Sequence, residues 1–336
     1  MEDKDYYNVP AISNSGMSSI NPDEGGTPKR YKKFVIDRDR EEEDTPSLQN
    51  GKLIHLYVED PTTFVISDTP RPTEKLAKWI EETYAQLPKF GDSMVSKDNP
   101  LLRLTALSLR DKFCNTKDKD KLWAIFCKEL DYLESLMVPD GKICMTPAQK
   151  ATVEACVESL HNNQLANHLL FKEMDQFGSV VHNELPIYWK ESIWDGGTVT
   201  AQLPCKGLLD RVRIDPTNKH AELIDLKTTG KSIGKFKDSF EYYRYYRQMA
   251  WYKDALKIHL GRKYGSIREW TIDIYIVAVE TGGLNECKVQ KVNPQYIEKG
   301  RAEYTDLVNR IATATSLNDW TTSQEERQHG YIDLKP

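Results

Sequence analysis

The stretch KGLLDRVRIDPTNKHAELIDLKTT (206–229) decides how this chain is read. Two runs rich in aliphatic residues, KGLLDRVRID and AELIDLKTT, flank the turn residues PTNKH, which predicts a β-hairpin. Residues two apart share a strand face. Asp225 and Lys227 therefore point the same way, with Ile224 and Leu226 turned to the opposite layer. Asp210 shares its face with Leu208, Val212 and Ile214, and a carboxylate on an apolar face is costly unless it is paired or holds a cation. Two aspartates on adjacent strands beside a lysine suit Mg²⁺, which takes one or two carboxylates and keeps waters that can attack a phosphate. The same residues also read as ordinary hairpin acids paired with Arg211, Arg213 or Lys227, since D-x-K recurs by chance.

Outward from the hairpin, ELPIYWK (184–190) reads as a strand before it and WTIDIYIVAVE (270–280) as a strand after it. Between the hairpin and that last strand, SFEYYRYYRQMAWYKDAL (239–256) reads as helix. A further helix starts near Pro294, with Ile297, Tyr304, Leu307, Val308 and Ile311 on one face. Upstream, Thr146-Pro147-Ala148-Gln149 predicts a helix start: a capping threonine, proline at the first position and Gln149 three after the cap. TEKLAKWIEETYAQL (73–87) and the region 121–137 are two more amphipathic helices, whose apolar stripes mean core packing. Residues 1–50 are polar and loop-rich, ending in DRDREEED (37–44), so composition predicts partial disorder. Helices followed by β-β-β, helix, β, helix predict an α/β or α+β core. The expected divisions are an N-terminal helical elaboration over 1–145, a core over 146–320 and a tail over 321–336.

The 336 residues are 39% hydrophobic and 29% charged, which excludes wholesale disorder and fibrous architectures. No run reaches the ~18 apolar residues of a membrane helix, and the opening MEDKDYYNVP has no apolar signal core, so no membrane association is expected. Cysteines 114, 127, 144, 156, 205 and 287 form no C-x-x-C pair, which suits reduced thiols in a cytoplasm. Neither G-x-x-x-x-G-K-[ST] nor G-x-G-x-x-G occurs, so a glycine-rich phosphate loop is unsupported. The net charge of −5 leaves nucleic acid open, because a local groove does the neutralising.

Four motifs in order carry a resemblance to a known family: GKLIH (51–55) followed by Glu59-Asp60-Pro61 and Phe64, KGLLD (206–210), LIDLKTT (223–229) and Gln248-x-x-x-Tyr252. AISNSGMSS (11–19), GKICMTPAQ (141–149) and the strand at Glu184 fit the same frame. Over about 11–310, with 88–140 unplaced, the chain resembles the RecE/RecB-type branch of the PD-(D/E)XK nucleases, the phage exonucleases related to exonuclease VIII. The resemblance implies a restriction-endonuclease-like core with a central mixed sheet flanked by helices. It implies Asp210 and Asp225 as metal-binding carboxylates, Lys227 as the catalytic lysine, and His55 as a residue of the metal site. Glu184 stands where the family often has a glutamate, a further metal-ligand candidate that also reads as a solvated strand-start acid. Gln248 and Tyr252 share one helix face and would support the site or the DNA end, or else form a buried structural pair. Read from its neighbours Ile54 and Leu56 alone, His55 is equally a core histidine. The family's usual cofactor is Mg²⁺, with Mn²⁺ able to substitute; the cysteine trio of its iron–sulfur members is missing, so no such cluster is expected.

Between 227 and 253 lie seven Lys/Arg residues against Asp238 and Glu241, with Tyr242, Tyr243, Tyr245, Tyr246 and Trp251 interleaved. Lys231, Lys235, Lys237, Arg244 and Arg247 are candidate phosphate contacts, while the aromatics either stack on frayed bases or pack the core. The resemblance further implies double-stranded DNA ends as substrate, a homo-oligomeric ring threading the DNA, a single-strand annealing partner and the cytoplasm of a bacterial host cell. The expected function is therefore a Mg²⁺-dependent exonuclease of phage-type recombination or DNA processing. A structure-specific endonuclease on the same core, or a silent DNA- or protein-binding module, is the alternative.

Overall fold

The computed structural model describes residues 3–332 apart from 40–44, 68, 88–94, 114–117, 137–141, 175–177 and 196–197. Part of the acidic run, Cys114 and the last residues of the expected tail thus lie outside the described residues. The chain forms two compact units, one of Met1–Lys52 with Cys156–Pro336 and one of Leu53–Ala155.

The smaller unit pairs β1 (Phe64–Ile66) with β2 (Ile143–Met145) in parallel. Its core is built on the expected amphipathic helix, Glu74–Gln86, whose Trp79 and Ile80 are fully buried with Leu102, Phe126 and Leu133. Trp79 meets Phe126 edge-on at 5.0 Å and donates its Nε1–H to the Ala106 carbonyl at 2.8 Å. The helix expected over 121–137 is two pieces, Lys119–Phe126 and Leu130–Ser135, split by a 3₁₀ turn at Cys127–Glu129. The start at Thr146 is a capping box: Thr146 Oγ1 accepts from the Gln149 N–H at 3.2 Å, and Gln149 Oε1 accepts from the Thr146 N–H at 2.9 Å. The helix it opens is Pro147–Asn162.

The larger unit is a five-stranded mixed sheet: β3 (Val180–Asp195), β4 (Thr198–Asp215), β5 (His220–Thr229), β6 (Thr271–Glu280) and β7 (Cys287–Lys291), in that spatial order. All neighbours are antiparallel except β5 and β6, which run parallel. Parallel neighbours need a long crossover, supplied by α1 (Phe236–Tyr242) and α2 (Tyr245–Tyr264). α3 (Pro294–Leu317) lies on α2 at Gly300, where any Cβ would collide with the Tyr246 carbonyl oxygen. The expected hairpin is present; Asp215 Oδ1 closes its turn by accepting from the N–H groups of Thr217 and Asn218. β7 had no sequence signal because CKVQK is a short, half-exposed edge strand with little apolar pattern.

The disorder expected for residues 1–50 is corrected over its described part. Ile12, Met17, Ile20 and Tyr31 are buried in the sheet's own core, and Ile12 bridges to Cys205 at the edge of β4. Average polarity conceals four well-spaced anchors. These residues belong to the sheet-bearing unit, whereas the boundary read from sequence at 145/146 groups them with the helical elaboration. Toward the other terminus, Trp320 stacks on Tyr31 at 5.7 Å, and a capping box at Ser323 opens a short helix, Gln324–His329.

Candidate active site

The cross-strand register gathers the acids. β4 and β5 pair from Asp215↔His220 to Arg211↔Ile224, and the next position in that register is Asp210 opposite Asp225. There the ladder stops: the Leu226 N–H donates to the Asp210 carboxylate (Oδ2, 3.2 Å) instead of to a strand carbonyl. On the other side, Asn183↔Arg211 and Leu185↔Leu209 flank Glu184 opposite Asp210. Glu184 has φ +48°, a left-handed backbone uncommon for a residue with a side chain, within β3 rather than at its start. Glu184, Asp210 and Asp225 thus form one row across three strands, at the point where both ladders are interrupted.

Asp225 is 1% exposed, and its Oδ2 lies 2.5 Å from Lys227 Nζ. Its Oδ1 accepts from Gln248 Nε2 at 3.3 Å. Lys227 Nζ also sits 5.1 Å above the Tyr245 ring, a cation–π contact that covers the ammonium. Burial pushes the Asp210 carboxyl above its usual range, against the pull of Lys227 and the Leu226 N–H. Burial alone would lower the Lys227 ammonium, yet Asp225 and Asp210 hold it well above its ordinary value. Burial and then the two aspartates likewise push the Tyr252 phenol far up. The Tyr252 ring lies over Gly207, the glycine of KGLLD.

The structure thus brings together Asp210, Asp225, Lys227, Gln248 and Tyr252. Gly51 of GKLIH also meets this strand: a Cβ there would come within 2.8 Å of Thr228 Oγ1. His55 is half-buried, one turn further along the helix Pro46–Glu59. Lys231, Lys235 and Lys237 are exposed on the segment leaving β5. Two expectations are corrected. Arg247 is 1% exposed, and its guanidinium is taken by Glu24 (2.5 Å), Ser18 (2.7 Å), Glu303 (2.9 Å) and Asn14 (3.1 Å). Arg244 is taken by Glu303 (2.8 Å), Tyr246 (3.0 Å) and Asp23 (3.2 Å). Both guanidiniums serve the fold, so neither is presented to a phosphate. Tyr245 was missed as a site residue, although its spacing to Gln248 and Tyr252 (i, i+3, i+7) puts all three on one helix face.

Among the described residues no three His, Cys, Asp or Glu side chains come close enough to enclose a metal ion. A closed zinc-type cage is therefore absent from this part of the chain. Two adjacent carboxylates, one of them burdened by burial, match Mg²⁺, which needs only one or two and keeps its waters.

A family model described as "PDDEXK-like domain of unknown function (DUF3799)" matches residues 150–329, more than half of the chain and every residue of this cluster. No curated protein matches the chain. Among solved structures, a crystal structure from Eubacterium rectale described as "Putative exonuclease" is similar over 100% of this chain and 95% of that one, with a TM-score of 0.50 and 11% identity, a likeness of fold.

Proposed function

Because the chain belongs to the family of PDDEXK-like domains of unknown function, we propose that it is a divalent-metal-dependent DNA exonuclease that works from duplex ends. The observation that carries this reading is the pairing of Asp225 with Lys227 at 2.5 Å, in register with Asp210 where the β4–β5 ladder stops. The exonuclease description of the Eubacterium rectale structure agrees with it.

Asp210 and Asp225 would hold Mg²⁺, which needs only one or two carboxylates, or Mn²⁺ in its place. When bound, the ion supplies a lowered water pKa and positive charge beside the scissile phosphate. The protein's own groups do the rest. Lys227, kept as an ammonium by its two aspartates, offsets charge gathering on the phosphate oxygens. Gln248 fixes the Asp225 carboxylate from its other oxygen, and Tyr245 shields the lysine from bulk water. Lys231, Lys235 and Lys237 would follow the DNA backbone. A ring of identical subunits, a single-strand annealing partner and a place in phage-type recombination belong to the same proposal.

The test is purified protein with linear and covalently closed duplex DNA, with and without Mg²⁺. Metal-dependent loss of linear DNA alone is the expected result. Efficient cutting of closed circles would replace this reading with an endonuclease.

A further inference from the structure

The tyrosines of the α1–α2 junction divide sharply. Tyr246 is 2% exposed in the core, whereas Tyr242 is 75% and Tyr243 54% exposed. The exposed pair is in contact: their rings meet edge-on at 4.9 Å, and Tyr243 stacks on Tyr245 at 5.7 Å and 27°. Tyr245 in turn lies beneath Lys227, so an unbroken line of ring contacts runs from solvent to the lysine beside Asp225. Arg244 makes the stacking possible. Its left-handed backbone (φ +52°) turns the chain between α1 and α2, and its ties to Asp23 and Glu303 lock that turn. The surroundings are basic. Lys231 Nζ stands 6.0 Å above the Tyr242 ring, Lys235 and Lys237 are exposed on the same segment, and Glu241 is neutralised by Lys299 at 2.7 Å.

We propose that Tyr242 and Tyr243 form a stacking platform for unpaired nucleobases of a DNA strand end, which delivers that strand to the Lys227 site. Flat exposed rings accept the π-face of any base, and the adjacent lysines meet the phosphates; together these fit single-stranded DNA. The inference deepens the nuclease reading and rests on it for the direction of delivery. Binding itself is separable from cleavage.

The experiment titrates wild-type protein, without divalent metal, into a short single-stranded oligonucleotide carrying a fluorescent adenine analogue, and into an abasic oligonucleotide of equal length. Wild type should quench the analogue and bind the base-bearing strand more tightly. Tyr242→Ala with Tyr243→Ala should weaken that binding by about tenfold or more and leave the abasic strand unaffected. Tyr242→Phe with Tyr243→Phe should keep wild-type affinity, which separates ring stacking from loss of fold. Equal affinities for both strands in wild type, or no loss in the alanine variant, would overturn the platform. A wild type that stacks bases but never hydrolyses DNA with Mg²⁺ would remove the nuclease reading and leave the platform standing. Hydrolysis without stacking would do the reverse.

Discussion

Two buried charge clusters meet the same helix, at the neighbouring residues Arg247 and Gln248 of α2, and they are wired differently. Around Arg247, two glutamates, an asparagine and a serine accept from one guanidinium, tying residues 14–24 to α2 and α3. Around Asp225, the Lys227 ammonium lies 2.5 Å from its carboxylate, Asp210 stands opposite in register, and burial leaves Asp210 above its usual range. In the first cluster Arg244 adds a second guanidinium on Glu303, so two glutamates meet two arginines, and the cluster holds elements together. The second sets two carboxylates side by side in a place that water screens poorly, which is where a cation or a phosphate-bound cation is worth most.

Lys227→Met separates the clusters most strongly. It should reduce nuclease activity by about a thousandfold or more with an unchanged circular dichroism spectrum. Near wild-type digestion by the folded variant would remove Lys227 from the chemistry. Next come the stabilities. Arg247→Ala removes the buried guanidinium that ties Glu24 and Glu303 together, and should cost about 2 kcal/mol or more in denaturant unfolding. Asp210→Asn removes a charge that burial disfavours, so its unfolding midpoint should stay level or rise. If both variants lose stability alike, the two clusters are the same kind of object. The smallest effect concerns acid. Burial works to raise the Glu24 carboxyl, and Arg247 overcomes it and holds the group below its usual range. Stability from this pair is then complete above the unfolded glutamate pKa of about 4.3 and is lost as pH falls through the lower folded value. The stability gap between wild type and Glu24→Gln should therefore narrow as pH drops below about 4; a gap constant with pH would deny the ionised contact.

The hairpin, its acids and the crossover helix were legible because strand periodicity and turn chemistry are local. Asp210, Asp225, Lys227, Gln248 and Tyr252 followed from motif spacing, and they converge. The arginines were misread because charge near a motif says nothing about long-range partners: Glu24 and Glu303 lie 223 and 56 residues from Arg247. Residues 1–50 were misread for a related reason, since Met17 and Tyr31 gain their value from a core assembled out of distant strands. Glu184 lay in plain view, yet its position opposite Asp210 needs the β3–β4 register, which sequence does not contain. The exposure of Tyr242 beside the burial of Tyr246 likewise depends on the turn at Arg244.

The central claim is that the adjacent carboxylates of Asp210 and Asp225 form a divalent-cation site. Calorimetric titration of Mn²⁺ into wild-type protein and into Asp225→Asn tests it most directly. The account predicts saturable binding to wild type that is lost in the variant while the fold is retained. Identical binding isotherms for the two proteins would contradict it.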